Sequence, residues 1–353
     1  MRNTCAKWLL FALFVSPVLF FAPTRAYASA DRPATFTKID VDGALTTVAS
    51  GINNDGYIVG WYCLQTPCNG AGTAANPATE ANPRTRGFVR NPDGSFTFLD
   101  ANDCTPTRTD CHHAIGTQPR YISPQGVVIG AYFTMENGAT FTNPRFRGFA
   151  WFAGQFTYFD VPPDQVDTIY DNPADEVPHS IIPRAINANG VIVGCIHDKD
   201  QMGTMHGFRL QDGKFTRLAE GMTMNNGVNT QGDIVGLDPM NLTGYHLGSD
   251  LNVLERIYFP GTDETDAWGI NAQGEIVGQA FTNSFNIGHA FLRNKQGAYN
   301  FIDPPGTCAS NGCASNAFAV AENGSIVGNY RDSLASCSTK ACVHGYLRER
   351  GND

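Results

Sequence analysis

Acidic and histidine side chains between residues 161 and 200 form the densest group of potential catalytic or metal-binding groups in the sequence. Carboxylates that converge can act as acid and base on a glycosidic bond or coordinate Ca²⁺. Spacing along a loop does not establish convergence, and acidic loop residues are usually only solvated. We therefore predict a ligand-binding face and assign no catalytic residue. Its candidate residues are Asp164, Asp167, Asp171, Glu176, His179, His197, Asp198 and Asp200.

Other chemical signals are weaker. The run from Asp40 to Gly43 resembles the start of a Ca²⁺ loop, but no Glu follows at the required position. His112 and His113 beside Cys111 are a minor metal signal. No nucleophile elbow, phosphate-binding glycine loop or zinc-binding His-Glu-x-x-His is present. We expect no cofactor, with Ca²⁺ left open.

Most cysteines occur as locally spaced pairs. Paired cysteines in an exported chain predict disulfides, and the two-residue spacer typical of zinc sites is missing. The predicted pairs are Cys63–Cys68, Cys104–Cys111, Cys308–Cys313 and Cys337–Cys342. Cys195 is left over, either as a free thiol on a strand or as half of an intermolecular bridge.

A ten-residue motif that recurs six times must position these groups. Its copies begin at Gly51, Tyr121, Ala185, Gly227, Gly269 and Ala319. In the copy 269–278, Asn271 and Gly274 predict a tight turn between two short strands, because Asn bonds nearby backbone and Gly accepts positive φ. Gly278, inside the second strand, indicates close backbone approach to a neighbour.

A second hairpin follows each motif and makes a unit of four short antiparallel strands, A to D. Six such units predict an all-β fold, a six-bladed β-propeller of four-stranded blades. The repeat cores lie near 51–100, 121–160, 185–218, 227–259, 269–303 and 319–348. The sixth unit lacks strand D, and the N-terminal strand 35–40 matches it, so we predict that this strand pairs in the last blade and closes the ring. An open β-solenoid is the alternative.

Histidine or arginine recurs at one position of strand C, and aspartate recurs at the end of strand D. The strand C position is occupied by Arg86, Arg147, His206, His289 and His344. A residue repeated in the same place in successive blades is expected to brace the structure rather than to catalyse.

The segment His289-Ala290-Phe291, preceded by the Ile-Asn-x-x-Gly-x-Ile-Val-Gly pattern, resembles the HAF-repeat family of exported bacterial proteins. The resemblance covers nearly the whole mature chain, although the other copies replace His-Ala-Phe by related triplets. It implies export and propeller-like repeats, and it supplies no catalytic residues.

The first thirty residues predict a signal peptide, and residues 31–353 a single propeller domain. Arg2 and Lys7 precede an apolar run, and small residues near Ala30 suit cleavage. An uncleaved anchor is the alternative, but the run is short for spanning a bilayer. Removing Arg2, Lys7 and Arg25 takes the formal net charge from −9 to −12. An acidic surface disfavours nucleic acid. We expect a secreted, periplasmic or extracellular monomer without a membrane span after cleavage.

The B–C and D–A connections carry the extra length and the predicted disulfides, and both emerge on one face of the ring. Long loops held by rigid strands are where binding usually occurs, although short disulfide loops can also serve only to stiffen. The leading hypothesis is a non-enzymatic propeller that binds a glycan, peptide or envelope protein on this face. The alternatives are a carbohydrate-active hydrolase or lyase using the acidic loops, and a structural or adhesive surface protein.

Overall fold

The computed structural model describes eleven stretches of the chain. They are 33–66, 68, 72–73, 76–79, 81–102, 114–135, 145–166, 179–197, 205–219, 221–333 and 341–351. Within these stretches the chain forms 26 β-strands. No helix in the described part is long and apolar enough to cross a membrane.

Four sets of antiparallel strands each form a separate four-stranded sheet. The second set is β8 (Gly116–Ile122), β9 (Val128–Thr134), β10 (Arg145–Phe152) and β11 (Gln155–Phe159). The third is β12 (Ser180–Ile186), β13 (Ile192–His197), β14 (Met205–Gln211) and β15 (Lys214–Arg217). The fourth is β16 (Met224–Val228), β17 (Ile234–Asp238), β18 (Thr243–Leu247) and β19 (Val253–Ile257). The fifth is β20 (Glu264–Ile270), β21 (Ile276–Thr282), β22 (Ile287–Arg293) and β23 (Tyr299–Phe301).

The first and last sets run together into one eight-stranded sheet. The first set is β2 (Thr46–Ile52), β3 (Ile58–Cys63), β6 (Arg86–Arg90) and β7 (Phe96–Leu99). The last is β24 (Ser315–Val320), β25 (Ile326–Arg331), β26 (Val343–Glu349) and β1 (Thr35–Ile39). A two-stranded hairpin, β4 (Gly72–Thr73) with β5 (Asn76–Pro77), interrupts the β3–β6 connection.

The prediction of six separate four-stranded blades is therefore corrected: four such sheets are separate, not six. The remaining two sets merge because Thr46 of β2 pairs in parallel with Val343 of β26. The Cys342 N–H also donates to the Leu45 carbonyl at 3.3 Å. These bonds connect the beginning of the repeat array to its end.

The predicted pairing of the N-terminal strand with the last set is confirmed. β1 lies antiparallel to β26, from Thr35 opposite Glu349 to Ile39 opposite Gly345. The N-terminus therefore supplies the fourth strand that the last repeat lacks.

The six sets follow one another around a central axis. Contacts join each set to the next, from β3 with β8 through β21 with β24, and β2 returns to β24 and β25. This cyclic order of antiparallel sheets defines an all-β chain with a β-propeller arrangement.

The motif turns and glycines behave as the sequence predicts. The Asn271 Oδ1 atom accepts from the Glu275 N–H at 2.9 Å, and Gly274 has a φ of 78°. A Cβ on Gly278 would overlap the Asp266 carbonyl oxygen and lie 2.7 Å from the Phe291 ring. Gly278 is therefore required because an aromatic side chain of β22 packs directly on it.

The turn asparagines also link successive sets, which the sequence did not indicate. Asn187 donates from Nδ2 to the Asn229 carbonyl at 2.9 Å, and Asn271 donates to the Ala321 carbonyl at 3.2 Å. Because each asparagine also caps its own turn, one side chain fixes both the hairpin and its neighbour.

The recurring histidines and arginines contact residues in or just after strand D of the same set. Arg147 lies 3.0 Å from Asp160, and His289 lies 2.7 Å from Asp303. In the last set the partner is Asp40, just after β1, at 2.9 Å from His344. These pairs brace the third strand against the fourth, including the N-terminal strand.

Two of the predicted disulfides are present, Cys63–Cys68 and Cys308–Cys313. Cys342 is also disulfide-bonded, while Cys337 lies outside the described residues. Cys104 and Cys111 lie outside them as well. Cys195 is the free cysteine of the described part and is fully buried in β13.

Candidate functional site

The first strand of every set contains a register irregularity at the same place. In β2 the pairing with β3 shifts between Ala49 and Gly51, so the residue between them is unpaired. A β-bulge of this kind redirects a side chain and is common near functional sites. The residues in this position are Ser50, Arg120, Arg184, Asn226, Trp268 and Phe318.

These six side chains meet around one axial cavity of about 270 Å³. The cavity is lined by the six bulge residues together with Thr46, Val48, Trp61, Tyr121, Asn329 and Val343. Its volume is just below the usual range of roughly 300–1,000 Å³ for small-molecule sites. Residues far apart in sequence thus form one site because the sets surround a common axis.

Arg120 and Arg184 supply the positive charge of the cavity. The Arg120 Nη2 atom donates to Gln118 Oε1 at 2.6 Å, while its Nε–H has no partner among the described residues. The Arg184 Nε–H is likewise unpartnered within the described part. Burial and repulsion from Arg184 lower the pKa of Arg120 to about 9, so the guanidinium remains charged at neutral pH.

Aromatic rings form the adjoining wall. The Arg184 guanidinium lies over the Trp268 ring, 5.3 Å from its centroid. Phe318 meets Trp268 edge-on, with the ring centroids 5.2 Å apart. The indole N–H groups of Trp61 and Trp268 have no hydrogen-bond partner in the described chain. The cavity therefore combines a flat apolar surface with several unused donors.

Asp266 lies in β20, two residues before Trp268, at the position that Val48 occupies in β2. It is 7% exposed and its Oδ1 atom has no described hydrogen-bond partner. Burial, reinforced by the neighbouring charge of Glu264, raises the pKa of Asp266 to about 8. At neutral pH this carboxyl is mainly protonated and can donate a hydrogen bond.

A buried thiol interacts with Arg184. The Cys195 Sγ atom lies 3.3 Å from His197 Nε2, and His197 stacks on Phe146 with centroids 6.3 Å apart. Burial alone would raise the pKa of the Cys195 thiol. Interactions with Arg184 and His197 outweigh burial and lower the pKa of the thiol to about 6. The thiolate then partly balances the charge of Arg184.

The cavity narrows sharply at the end that holds the motif turns. Six β-branched side chains there, all at most 7% exposed, surround a void of only about 30 Å³, enough for a water or two. They are Ile52, Ile122, Ile186, Val228, Ile270 and Val320. The opposite end begins at Thr46 and Val343, next to the disulfide loops, and the Cys68 Sγ atom lies 3.6 Å from Thr46 Oγ1. A ligand would therefore enter from the loop face.

The residues that the sequence singled out lie apart from this cavity where they are described. Asp164 is exposed, and His179 is half-buried just before β12. His197 is buried against Cys195, behind the cavity wall. The other candidates lie outside the described residues: Asp167, Asp171, Glu176, Asp198 and Asp200.

In the described part, no three His, Cys, Asp or Glu side chains converge as a metal site. Asp40, which begins the candidate Ca²⁺ run, is paired with His344 and Lys38. His112 and His113 lie outside the described residues.

The fold and cavity define a β-propeller with an axial pocket. No protein-family model matches the sequence, and no curated protein matches it. Among solved structures, the chain is similar to a protein of unknown function from Dyadobacter fermentans, at 11% identity and a TM-score of 0.52, covering 89% of this chain and 98% of that one. It is also similar to a streptogramin B lyase structure, at 11% identity and a TM-score of 0.44, covering 89% and 97%. A third is the β-propeller domain of the Trilobed protease from Pyrococcus furiosus, at 7% identity and a TM-score of 0.41, covering 88% and 98%. Likenesses at these identities concern the fold alone.

Proposed function

We propose that the protein is an exported, non-enzymatic β-propeller that binds a small ligand, or a small group of a larger one, in its axial cavity. The observation that carries the proposal is the convergence of six different bulge residues on one pocket. Structural positions of the repeat keep one or two dominant residue types, but this position carries serine, asparagine, two arginines and two aromatic residues. Such variation builds an asymmetric pocket inside a regular ring.

The propeller is further proposed to be six-bladed, with the eight-stranded sheet acting as two blades. Its two halves carry separate motif copies, and their bulge residues, Ser50 and Phe318, both line the cavity. A single parallel pair, Thr46 with Val343, joins the halves. The ring would then close through β1 and through this pair.

The long loops would form the entrance. The predicted loop face would still bind a glycan, peptide or envelope protein. One group of that ligand would extend into the axial cavity. Disulfides such as Cys63–Cys68 suit an oxidising compartment and would hold the entrance open. The same proposal includes export, a monomeric state, no nucleic-acid partner and an optional Ca²⁺ in the acidic loops.

A hydrolase or lyase is the second candidate, and one observation favours it. Asp266 is a protonated buried carboxyl beside Glu264, and strongly shifted carboxyls often occur at catalytic sites. This version would use Asp266 as a general acid rather than the acidic loops. Turnover of a bound compound by the wild type, lost in Asp266→Asn with binding retained, would favour it over the non-enzymatic proposal.

The experiment is a screen of the mature protein against small metabolites and glycans, with and without Ca²⁺, read by tryptophan fluorescence. Trp61 and Trp268 line the cavity, so a ligand there should change their emission. Ser50→Trp should abolish the response by filling the cavity. The backbone of the equivalent bulge already carries Trp268, which makes the substitution compatible with folding.

Gln296→Trp is the matched control, because Gln296 is exposed in a turn remote from the cavity. It should keep the response of the wild type. A response that survives in Ser50→Trp would refute cavity binding. If no compound elicits a response that Ser50→Trp removes, the structural or adhesive alternative replaces the proposal.

A further inference from the structure

The cavity has an excess of hydrogen-bond donors over acceptors. Unpartnered N–H groups belong to Arg120, Arg184, Trp61 and Trp268 in the described chain. The one unpartnered acceptor among the bulge residues is the Oδ1 atom of Asn226, whose Nδ2 atom donates to the Ala267 carbonyl at 2.9 Å. Buried donors without partners are costly, so a ligand that accepts several hydrogen bonds would be favoured.

The cavity also has an excess of positive charge. Among the residues that the structure describes, its twelve lining residues include two arginines and no Asp or Glu. The nearest acid along the strands, Asp266, is protonated at neutral pH. Cys195 can balance only one of the arginines. This local charge contrasts with the formal net charge of −9 for the whole chain.

The aromatic wall lies directly beside the arginines. Arg184 stacks on Trp268 at 5.3 Å, and Phe318 extends the apolar surface at 5.2 Å from Trp268. A guanidinium presents paired N–H donors that match the two oxygens of a carboxylate. A flat apolar group attached to that carboxylate could then lie against the rings.

We propose that the cavity selects a carboxylate with a flat apolar body, the anion held by Arg120 and Arg184 and the body packed on Trp268 and Phe318. This inference rests on the proposed function and deepens it. The carboxylate could belong to a free acid or to a group on a larger ligand that enters between the loops.

The test compares benzoate with benzamide, which share a ring and differ in charge, by calorimetric titration of the mature protein. Benzoate should bind at least tenfold more tightly. Arg120→Gln should remove that preference, and Arg120→Lys should retain part of it. Arg209→Gln is the matched control, because Arg209 donates to the Ser249 carbonyl outside the cavity and should leave the preference unchanged.

Comparable binding of benzamide and benzoate would overturn the anion selectivity and leave cavity binding intact. The anion selectivity would also be overturned if neither probe bound while a neutral compound gave a tryptophan fluorescence response that Ser50→Trp removes. If no compound of any class gives such a response, the proposed function fails, and this inference fails with it. Benzoate binding that persists unchanged in Arg120→Gln would place the anion elsewhere and also refute the assignment.

Discussion

The contact between Asp40 and His344 holds the N-terminal strand onto the last set, and Asp40→Asn should weaken it in a pH-dependent way. His344 is 3% exposed, with Nδ1 2.9 Å from Asp40 and Nε2 3.1 Å from Asp332. Because both ring nitrogens face carboxylate oxygens, both must donate, and this requires the imidazolium form. Lys38 also contacts Asp40, at 2.9 Å.

The expected loss is about 2 kcal/mol near pH 6. A hydrogen bond to a charged group contributes about 1.5–3 kcal/mol, and Asp40 is 29% exposed, so solvent screening favours the lower half of that range. Unfolding entropy of about 2 cal/mol/K per residue gives about 0.7 kcal/mol/K for a chain of roughly 320 residues. The Tm should therefore fall by about 3 °C.

The pH dependence follows from the two pKa shifts. Hydrogen bonding to Asp40 raises the pKa of His344 against the effect of burial. Its contribution is complete below the unfolded value of about 6.5 and is lost as the pH rises through the folded value. Burial tends to raise the pKa of Asp40, but hydrogen bonds from His344 and Lys38 lower it overall. That contribution is present above about pH 4 and is lost as the pH falls through the folded value.

The assay is thermal unfolding of the wild type and Asp40→Asn between about pH 3 and 9. The difference in Tm should be largest between about pH 4 and 6.5 and shrink on either side. Asp100→Asn is the control, because Asp100 occupies the same repeat position but pairs with Arg86, is 43% exposed and follows β7, a strand continuous with its set. It should cost less than about 1 kcal/mol. The reasoning would be refuted if the Tm difference between wild type and Asp40→Asn did not vary with pH. It would also be refuted if that difference equalled the one for Asp100→Asn.

Three further predictions follow from other contacts. Gly278→Ala should cost about 3 kcal/mol by denaturant unfolding, because its Cβ would collide with the Asp266 carbonyl and the Phe291 ring; a loss below about 1 kcal/mol would contradict the packing argument. Cys195→Ser removes a counter-charge of Arg184, so the variant should bind benzoate more tightly. In the wild type the affinity for benzoate should decline as the pH rises through about 6, and in the variant it should not. Equal pH profiles of benzoate affinity would contradict this coupling. Reducing either described disulfide should destabilise the fold by about 2 kcal/mol, read from the denaturant midpoint against an untreated sample, and an unchanged midpoint would show that the loops are held by other contacts.

The repeat pattern predicted the parts of the fold that depend on local physics. Asn271 and Gly274 specify a turn whatever surrounds them, and Gly278 signals a close approach because a side chain there would collide. The N-terminal strand was identifiable because it matches a piece missing from the last repeat. The merger of the first and last sets was not predictable, since it depends on one parallel pair, Thr46 with Val343, formed only after the ring closes.

The candidate cavity was missed for a different reason. The acidic loops contain the densest group of charged residues and were therefore predicted as the binding site. The bulge residues include Ser50 and Phe318, whose residue types do not by themselves indicate a site. A local irregularity also breaks the alternation from which strand faces are inferred. One signal was available: Arg120 and Arg184 immediately precede two copies of the motif, where strand residues pack inside the ring.

The position of the bulge explains how regular repeats can surround an asymmetric cavity. Positions that close turns or pack one strand on another make similar contacts in successive sets, so Asn187, Asn229 and Asn271 recur. A side chain facing the axis instead shares a single cavity with five others, and six identical residues would make a symmetric lining with no preferred orientation for a ligand. Placing Arg184 beside Trp268 breaks that symmetry without altering the backbone. Under the proposed cavity binding, specificity requires variation immediately beside the repeated motif as well as in the loops that distinguish its copies.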